Sequence, residues 1–332
     1  MLSLLPTSAE NSPLWQRELA AAIRDPAELL KLLQLSPSAL PTVDLAVGSF
    51  PLRVPRSFVK RMRIDDPQDP LLRQVLPTVA EHLAMSGYLS DPVGDLPASQ
   101  AGGILHKYHG RVLLITTGAC AIHCRYCFRR HFPYTELRMG EFNNALAYLE
   151  QHQEVSEVIL SGGDPLMLND QRLAELTHKL AEIPHLQRLR IHSRLPIVLP
   201  SRIDEHLLDW FAGSRLQPVL VVHANHPQEL DNEVAEAASR LRERGVFLLN
   251  QTVLLAGIND DADTLIELSK RLFASGIQPY YLHALDKVQG AQHFNNNDRL
   301  KSLIPIMRAR LPGYLVPQAV CEEAGQASKT PL

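Results

Sequence analysis

The chain has 332 residues, 45% of them hydrophobic and 21% charged, with a formal net charge of −3. That apolar content excludes wholesale disorder, and the near-neutral balance supplies no global basic field for nucleic acid or an anionic membrane. No apolar run reaches the roughly 18 residues of a transmembrane helix. Four cysteines are too few for a disulfide framework and point to a reducing, cytoplasmic setting.

In chain order, residues 1–100 read as a helical, loop-rich lobe. Pro13, Pro26, Pro51, Pro55, Pro67, Pro70 and Pro77 keep its helices short. The opening MLSLLPTSAENSPLW lacks the charged n-region and long apolar h-region of a signal peptide. From residue 111 short apolar runs take over: RVLLITT (111–117), SEVILSG (156–162), RLRIHS (188–193), QPVLVVH (217–223), VFLLNQT (246–252) and QPYYLHA (278–284). Their length and Val, Ile, Leu and Tyr content favour buried strands. Amphipathic segments lie between them. Residues 204–211 put Leu207, Leu208 and Phe211 on one face and stop at Gly213; 232–244 stop at Gly245, and 263–274 at Gly276. Strands alternating with helices imply right-handed βαβ units and a parallel sheet, hence the α/β class. Either an open doubly wound sheet or a barrel satisfies this pattern. No G-x-G-x-x-G follows the first strand, which weakens the dinucleotide-binding version. In both, chemistry belongs at the carboxyl ends of the strands.

Just after the first strand runs Cys120-Ala-Ile-His-Cys124-Arg-Tyr-Cys127. Unligated core cysteines rarely cluster in this way. A zinc site would need a fourth ligand, for which His123, His131 or Cys321 is available. A [4Fe–4S] cluster normally takes four thiolates, so three leave one iron open to an external ligand. At the end of the second strand stands Ser161-Gly162-Gly163-Asp164-Pro165, where paired glycines permit close backbone approach to a small polar ligand. Taken alone, this motif is indistinguishable from an ordinary turn.

The C-x3-C-x2-C spacing is the signature of the radical S-adenosylmethionine (SAM) enzymes, which the chain resembles. The resemblance implies a partial (β/α)6 TIM-like barrel over residues 101–310, an N-terminal helical lobe over 1–100 and a C-terminal segment over 311–332. It implies that Cys120, Cys124 and Cys127 hold a [4Fe–4S] cluster whose open iron binds SAM. Tyr126 would lie by the adenine, and Gly162, Gly163 and Asp164 would hold the SAM amino group. Within that superfamily the chain is similar to the lysine 2,3-aminomutase family over roughly residues 60–332. The matching stretches are DPQDPLLRQVLPT (65–77), YHGRVLLITTGACAIHCRYCFRRHF (108–132), SGGDPL (161–166), SRLPIVLPSRI (193–203), HANHP (223–227), NQTVLLAGIND (250–260) and SKTPL (328–332). It most resembles the subgroup that supplies β-lysine for modification of elongation factor P (EF-P).

This second resemblance implies pyridoxal phosphate (PLP) as a further cofactor, held covalently by Lys329. A lysine so near a chain end is ordinarily solvated tail. Its assignment rests on Gly325 and Ser328-Lys329-Thr330-Pro331, which match a glycine-rich GKTP segment of the family with fewer glycines. Lys107 and Arg111 match the pair that binds the PLP phosphate, and Gln251 and His223 match positions near the cofactors. Arg129 matches the arginine that receives the substrate carboxylate. Asp286 matches one of two aspartates for the substrate ε-ammonium, and Glu322 replaces the other. Larger members bind zinc through a Cys-rich extension; here Asp261 stands where that site's upstream cysteine would be, so no zinc is expected and Cys321 is a bystander. The implied activity is the isomerisation of L-lysine to β-lysine. The implied partners are L-lysine, an electron donor such as flavodoxin or ferredoxin, and, functionally, EF-P with its lysyl-transferring ligase. No nucleic acid or membrane is implied. Two rivals are an aminomutase for another amino acid, which the acidic pair disfavours, and a zinc-stabilised binding protein without catalysis.

Overall fold

The computed structural model describes residues 12–36, 40, 43–44, 50–134 and 142–332. The signal-peptide reading of the chain's start therefore falls largely outside the described residues. Nine strands occur among the described residues: β1 (Ile104–Tyr108), β2 (Arg111–Thr117), β3 (Glu157–Gly162), β4 (Arg188–Ser193), β5 (Gln217–Val222), β6 (Phe247–Val253), β7 (Gln278–His283), β8 (Gln318–Cys321) and β9 (Thr330–Pro331). They form one sheet in strictly sequential order. Strands β2 to β8 are mutually parallel, while β1 and β9 pair antiparallel at the two ends. That order decides between the two closures. A doubly wound sheet reverses direction at a switch point; a sheet without reversal keeps its helices on one face and curls into a barrel. No pairing of β1 with β9 occurs among the described residues, so the barrel is partial.

The six strands expected from the sequence are β2 to β7, within about one residue at each end. The helices Glu205–Ala212, Asn232–Glu243 and Ala262–Ala274 start where Asp204, Asp231 and Asp261 accept N–H bonds from Leu207, Val234 and Thr264. Gly245 and Gly276 end their helices at positive φ, 81° and 74°. Gly213 departs from that expectation: its φ is −80°. A Cβ there would lie 2.3 Å from the Asp209 carbonyl oxygen, so close approach, not handedness, requires glycine. Apolar residues of the N-terminal lobe, among them Trp15, Phe58, Leu71 and Leu72, share one core with the barrel's helices and strands.

The inward face of the sheet differs from a filled barrel. Along β4, Leu189, Ile191 and Ser193 are buried, while Arg188, Arg190 and His192 remain partly open. Strands alternate their faces, so these three point together into the barrel. Filled barrels carry branched apolar residues there. Here apolar packing is limited to a small patch of Val219, Val221, Leu249 and Tyr280. Beside it stand the polar side chains Arg188, Arg190 and His192.

Candidate active site

The cysteine loop leaves the end of β2 and is pinned by the Gly-Gly turn after β3. Gly162 has φ 129°, and a Cβ on it would lie 2.4 Å from the Thr117 oxygen. A Cβ on Gly163 would lie 2.4 Å from the Ala119 oxygen. This closeness lets Gly163 N donate to Thr117 O (2.7 Å) and Asp164 N to Ala119 O (2.8 Å). The Asp164 carboxylate accepts from Ser193 Oγ (2.8 Å) and from the backbone N–H groups of Leu166, Arg194 and Leu195. Burial pushes it up to about 6 against the pull of those donors. Its side chain is committed to joining the ends of β3 and β4, so what the turn offers a ligand is backbone.

All three cysteines of the loop are partly buried. Burial first, then the neighbouring thiols, raises the Cys120 thiol well above its ordinary value; burial and Cys124 push Cys127 to about 11. Thiols set this close resist ionisation without a cationic centre among them, which fits an iron–sulfur cluster. Among the described residues, no group of three or more His, Cys, Asp and Glu side chains suits a single metal ion. The candidate fourth zinc ligands are tied elsewhere. His123 Nδ1 sits 2.7 Å from Pro51 O, His131 Nε2 sits 3.0 Å from Gln289 O, and Cys321 packs with the core behind β8. Arg194 Nη1 donates to Cys124 Sγ at 2.8 Å. Tyr126 sets its ring edge on Phe294 at 6.2 Å, and its hydroxyl accepts from Asn225 Nδ2 at 2.6 Å.

Deeper in, charges alternate along a chain of side chains. Lys329 Nζ lies 2.9 Å from Glu322 Oε2, and Glu322 Oε1 lies 3.0 Å from Lys107 Nζ. Lys107 also donates to Asp95 Oδ1 (2.6 Å) and Val93 O (2.9 Å). Asp95 Oδ2 lies 2.7 Å from Arg129 Nε, whose Nη1 donates to Ser161 Oγ at 3.0 Å. Three acceptors take the three N–H bonds of Lys107. In this arrangement it faces carboxylates, not the open space a phosphate would need. Arg111 has no ion pair among the described residues; its guanidinium stacks 4.7 Å over the Tyr108 ring. Asp286 likewise has no ion pair among the described residues. Burial and the Glu322 charge push its carboxyl to about 7, with Lys329 pulling the other way.

Around Lys329 stand three histidines. His223 is 3.2 Å from Gln251 Nε2, and its ring lies 6.1 Å from that of His192. Burial, reinforced by Arg194, Lys329 and Arg129, takes His223 down to about 3. Burial and cationic neighbours also hold His192 and His283 well below their ordinary value, so all three rings are neutral. His192 Nε2, His283 Nε2 and Arg190 Nε are buried without a hydrogen-bond partner among the described residues. Buried orphans of this kind call for an explanation. A phosphate-bearing aromatic cofactor supplies one, with acceptors for Arg111 and for the Nε of Arg190, whose other arm pairs with Glu157, a ring beside the imidazoles and Tyr281, and a carbonyl for Lys329, which lies 5.6 Å from the Tyr281 ring.

Residues 114–268 match the radical SAM superfamily. An L-lysine 2,3-aminomutase of Escherichia coli (strain K12) is 49% identical over 322 residues, covering 96% of this chain and 94% of that protein. One from Haemophilus influenzae is 47% identical, covering 95% and 94%. The chain belongs to the lysine 2,3-aminomutase family. A more distant member, the Clostridium subterminale L-lysine 2,3-aminomutase, is 34% identical over 96% of this chain and 77% of that protein. A radical SAM methyltransferase from Sphaerobacter thermophilus is similar in structure over 68% of this chain and 69% of its own, with a TM-score of 0.45 and 19% identity.

Lysine 2,3-aminomutases use a [4Fe–4S] cluster, SAM and PLP. Sequence reasoning did not find Asp95, Arg190, His192, His283 or Arg194. For Arg190 and His192 a signal exists: RLRIHS alternates so that Arg188, Arg190 and His192 share one strand face. Asp95 sits in a Pro- and Gly-rich loop whose local pattern does not mark it.

Proposed function

We propose that this lysine 2,3-aminomutase converts L-lysine to β-lysine by moving the amino group from Cα to Cβ. One juxtaposition carries the reading: Lys329 pairs with Glu322, Asp286 faces both, and Glu322 is joined through Lys107 and Asp95 to Arg129, two residues after Cys127. When bound there, the cluster and SAM supply hydrogen abstraction and PLP supplies the covalent hold on the migrating nitrogen. Cys120, Cys124 and Cys127 hold the cluster, and the Gly162–Gly163 turn presents backbone beside it. Arg111, which has no carboxylate partner among the described residues, takes the PLP phosphate. Arg129 is held rigidly by Asp95 and Ser161 and turns its remaining N–H edge to the substrate carboxylate. Glu322 already bridges two ammonium groups and keeps Lys329 in place. Asp286 is then the carboxylate left for the substrate ε-ammonium. The neutral histidines offer hydrogen bonds without adding charge that would repel a cation.

An acidic substrate would meet Asp286 and Glu322 with like charge, which disfavours glutamate. Offering the loaded enzyme L-lysine, L-glutamate and L-alanine in parallel tests this, with a β-amino product from lysine alone as the expected result. We further infer that the product serves EF-P through its lysyl-transferring ligase, that flavodoxin or ferredoxin supplies the electron, and that the enzyme works in the cytoplasm. Support comes from the subgroup resemblance. No helix among the described residues is long and apolar enough to cross a membrane. A lysine- and SAM-dependent mass increase on EF-P, in the presence of the ligase, is the check on the EF-P link.

A further inference from the structure

Arg194 occupies a built position beside the cysteine loop. Its Nη1 donates to Cys124 Sγ at 2.8 Å, and its Nη2 donates to Gln74 Oε1 (2.6 Å) and Glu229 Oε2 (3.0 Å). The Phe58 and Tyr126 rings lie 5.3 and 5.6 Å from the guanidinium carbon. Its backbone N–H is tied to Asp164 Oδ2 at 2.8 Å. Gln74 and Glu229 are fully buried, so the fork cannot swing into solvent. No part of the lysine reaction described above uses this residue.

We propose that Arg194 is a positioning residue that raises the reduction potential of the iron–sulfur centre by hydrogen-bonding the Cys124 thiolate. One-electron reduction adds a negative charge to the cluster and its thiolates. A fixed cation and N–H donor at one sulfur stabilise that more negative state over the oxidised one. The dry, partly aromatic surroundings strengthen the effect. Glu229 and Gln74 sit on the other arm of the fork; they anchor the guanidinium with its Nη1 edge toward sulfur. This proposal rests on the iron–sulfur reading of the cysteines and is independent of the substrate.

The test is a redox titration by electron paramagnetic resonance, without SAM, PLP or lysine. Wild type, Arg194→Met and Arg194→Lys are reconstituted anaerobically with iron and sulfide, and their metal content is measured. A hydrogen bond to a charged group is worth about 1.5–3 kcal/mol. Losing the part felt only by the reduced form should lower the reduced-to-oxidised ratio about tenfold at fixed ambient potential, about 59 mV for one electron. Arg194→Lys keeps the charge but cannot span Cys124 and Glu229 at once, so it should shift the same way by less. If Arg194→Met does not load, the lysine variant decides. Wild-type midpoints at full iron content overturn the proposal. Failure of the wild type to take up a cluster overturns the iron–sulfur assignment beneath it.

Discussion

Lys329 and Glu322, seven residues apart in the chain, form a 2.9 Å ion pair at the C-terminal end of the barrel. Glu322's other oxygen binds Lys107. Burial alone would raise Glu322, but the Lys329 and Lys107 ammonium groups overcome it and hold the carboxyl at about 2. A carboxylate lowered in the fold contributes stability that is present above its unfolded value, about 4.3, and lost as pH falls toward 2. Glu322 is therefore ionised at every working pH. Glu322→Gln leaves two ammonium groups facing a neutral amide. Lysine turnover should fall at least about tenfold, with slower PLP capture followed by absorbance; Glu322→Asp, one methylene shorter, should fall between. Wild-type PLP capture and turnover in Glu322→Gln would remove Glu322 from this role.

Asp286 titrates where the enzyme works. It faces Glu322, Lys329, Asp95 and Lys107, and burial with the Glu322 charge sets it at about 7. Below that pH it is neutral and no longer attracts an ammonium group. The kcat/KM for L-lysine should drop with unit slope as pH falls below 7, and Asp286→Asn should lose that limb and sit lower throughout. An Asp286→Asn profile superimposable on wild type would contradict the assignment.

Replacing Lys329 with Ala removes the only amine assigned to PLP. The variant should show no retained PLP absorption after gel filtration, while its iron content and cluster spectrum match wild type. Retained PLP absorption would mean that another lysine carries the cofactor.

Gly163→Ala would place a Cβ 2.4 Å from the Ala119 oxygen, in the loop that bears Cys120. Neither side is a flexible side chain, so backbone must move. A destabilisation of about 2 kcal/mol is expected, seen as a Tm several degrees lower together with reduced iron uptake.

Much of this was legible in the sequence because the βα units are locally self-consistent: apolar runs of six or seven residues and glycine stops each report their own position. Strands β1, β8 and β9 were not legible. ILHKY is half polar, and QAVC and TP are too short to show alternation; the sheet creates them by pairing. The site divides in the same way. Cys120, Cys124 and Cys127 declare themselves by spacing, whereas Lys329 rests on resemblance alone. The partners of Lys107 could not be read, because Asp95 and Glu322 reach it from opposite ends of the chain. An isolated basic pair with Arg111 looked suited to phosphate; folded, one member is already neutralised. Gly213 shows the same limit on a small scale, since a stop glycine reports a constraint without saying whether conformation or space imposes it.

The most direct measurement is product formation by the enzyme loaded anaerobically with iron, sulfide, PLP and SAM, reduced, and given L-lysine. The α- and β-isomers are separated and quantified by mass spectrometry. Accumulation of β-lysine that depends on reductant and SAM and is abolished in Lys329→Ala is the predicted result. A fully loaded cluster and bound PLP with L-lysine left unchanged would contradict the assignment.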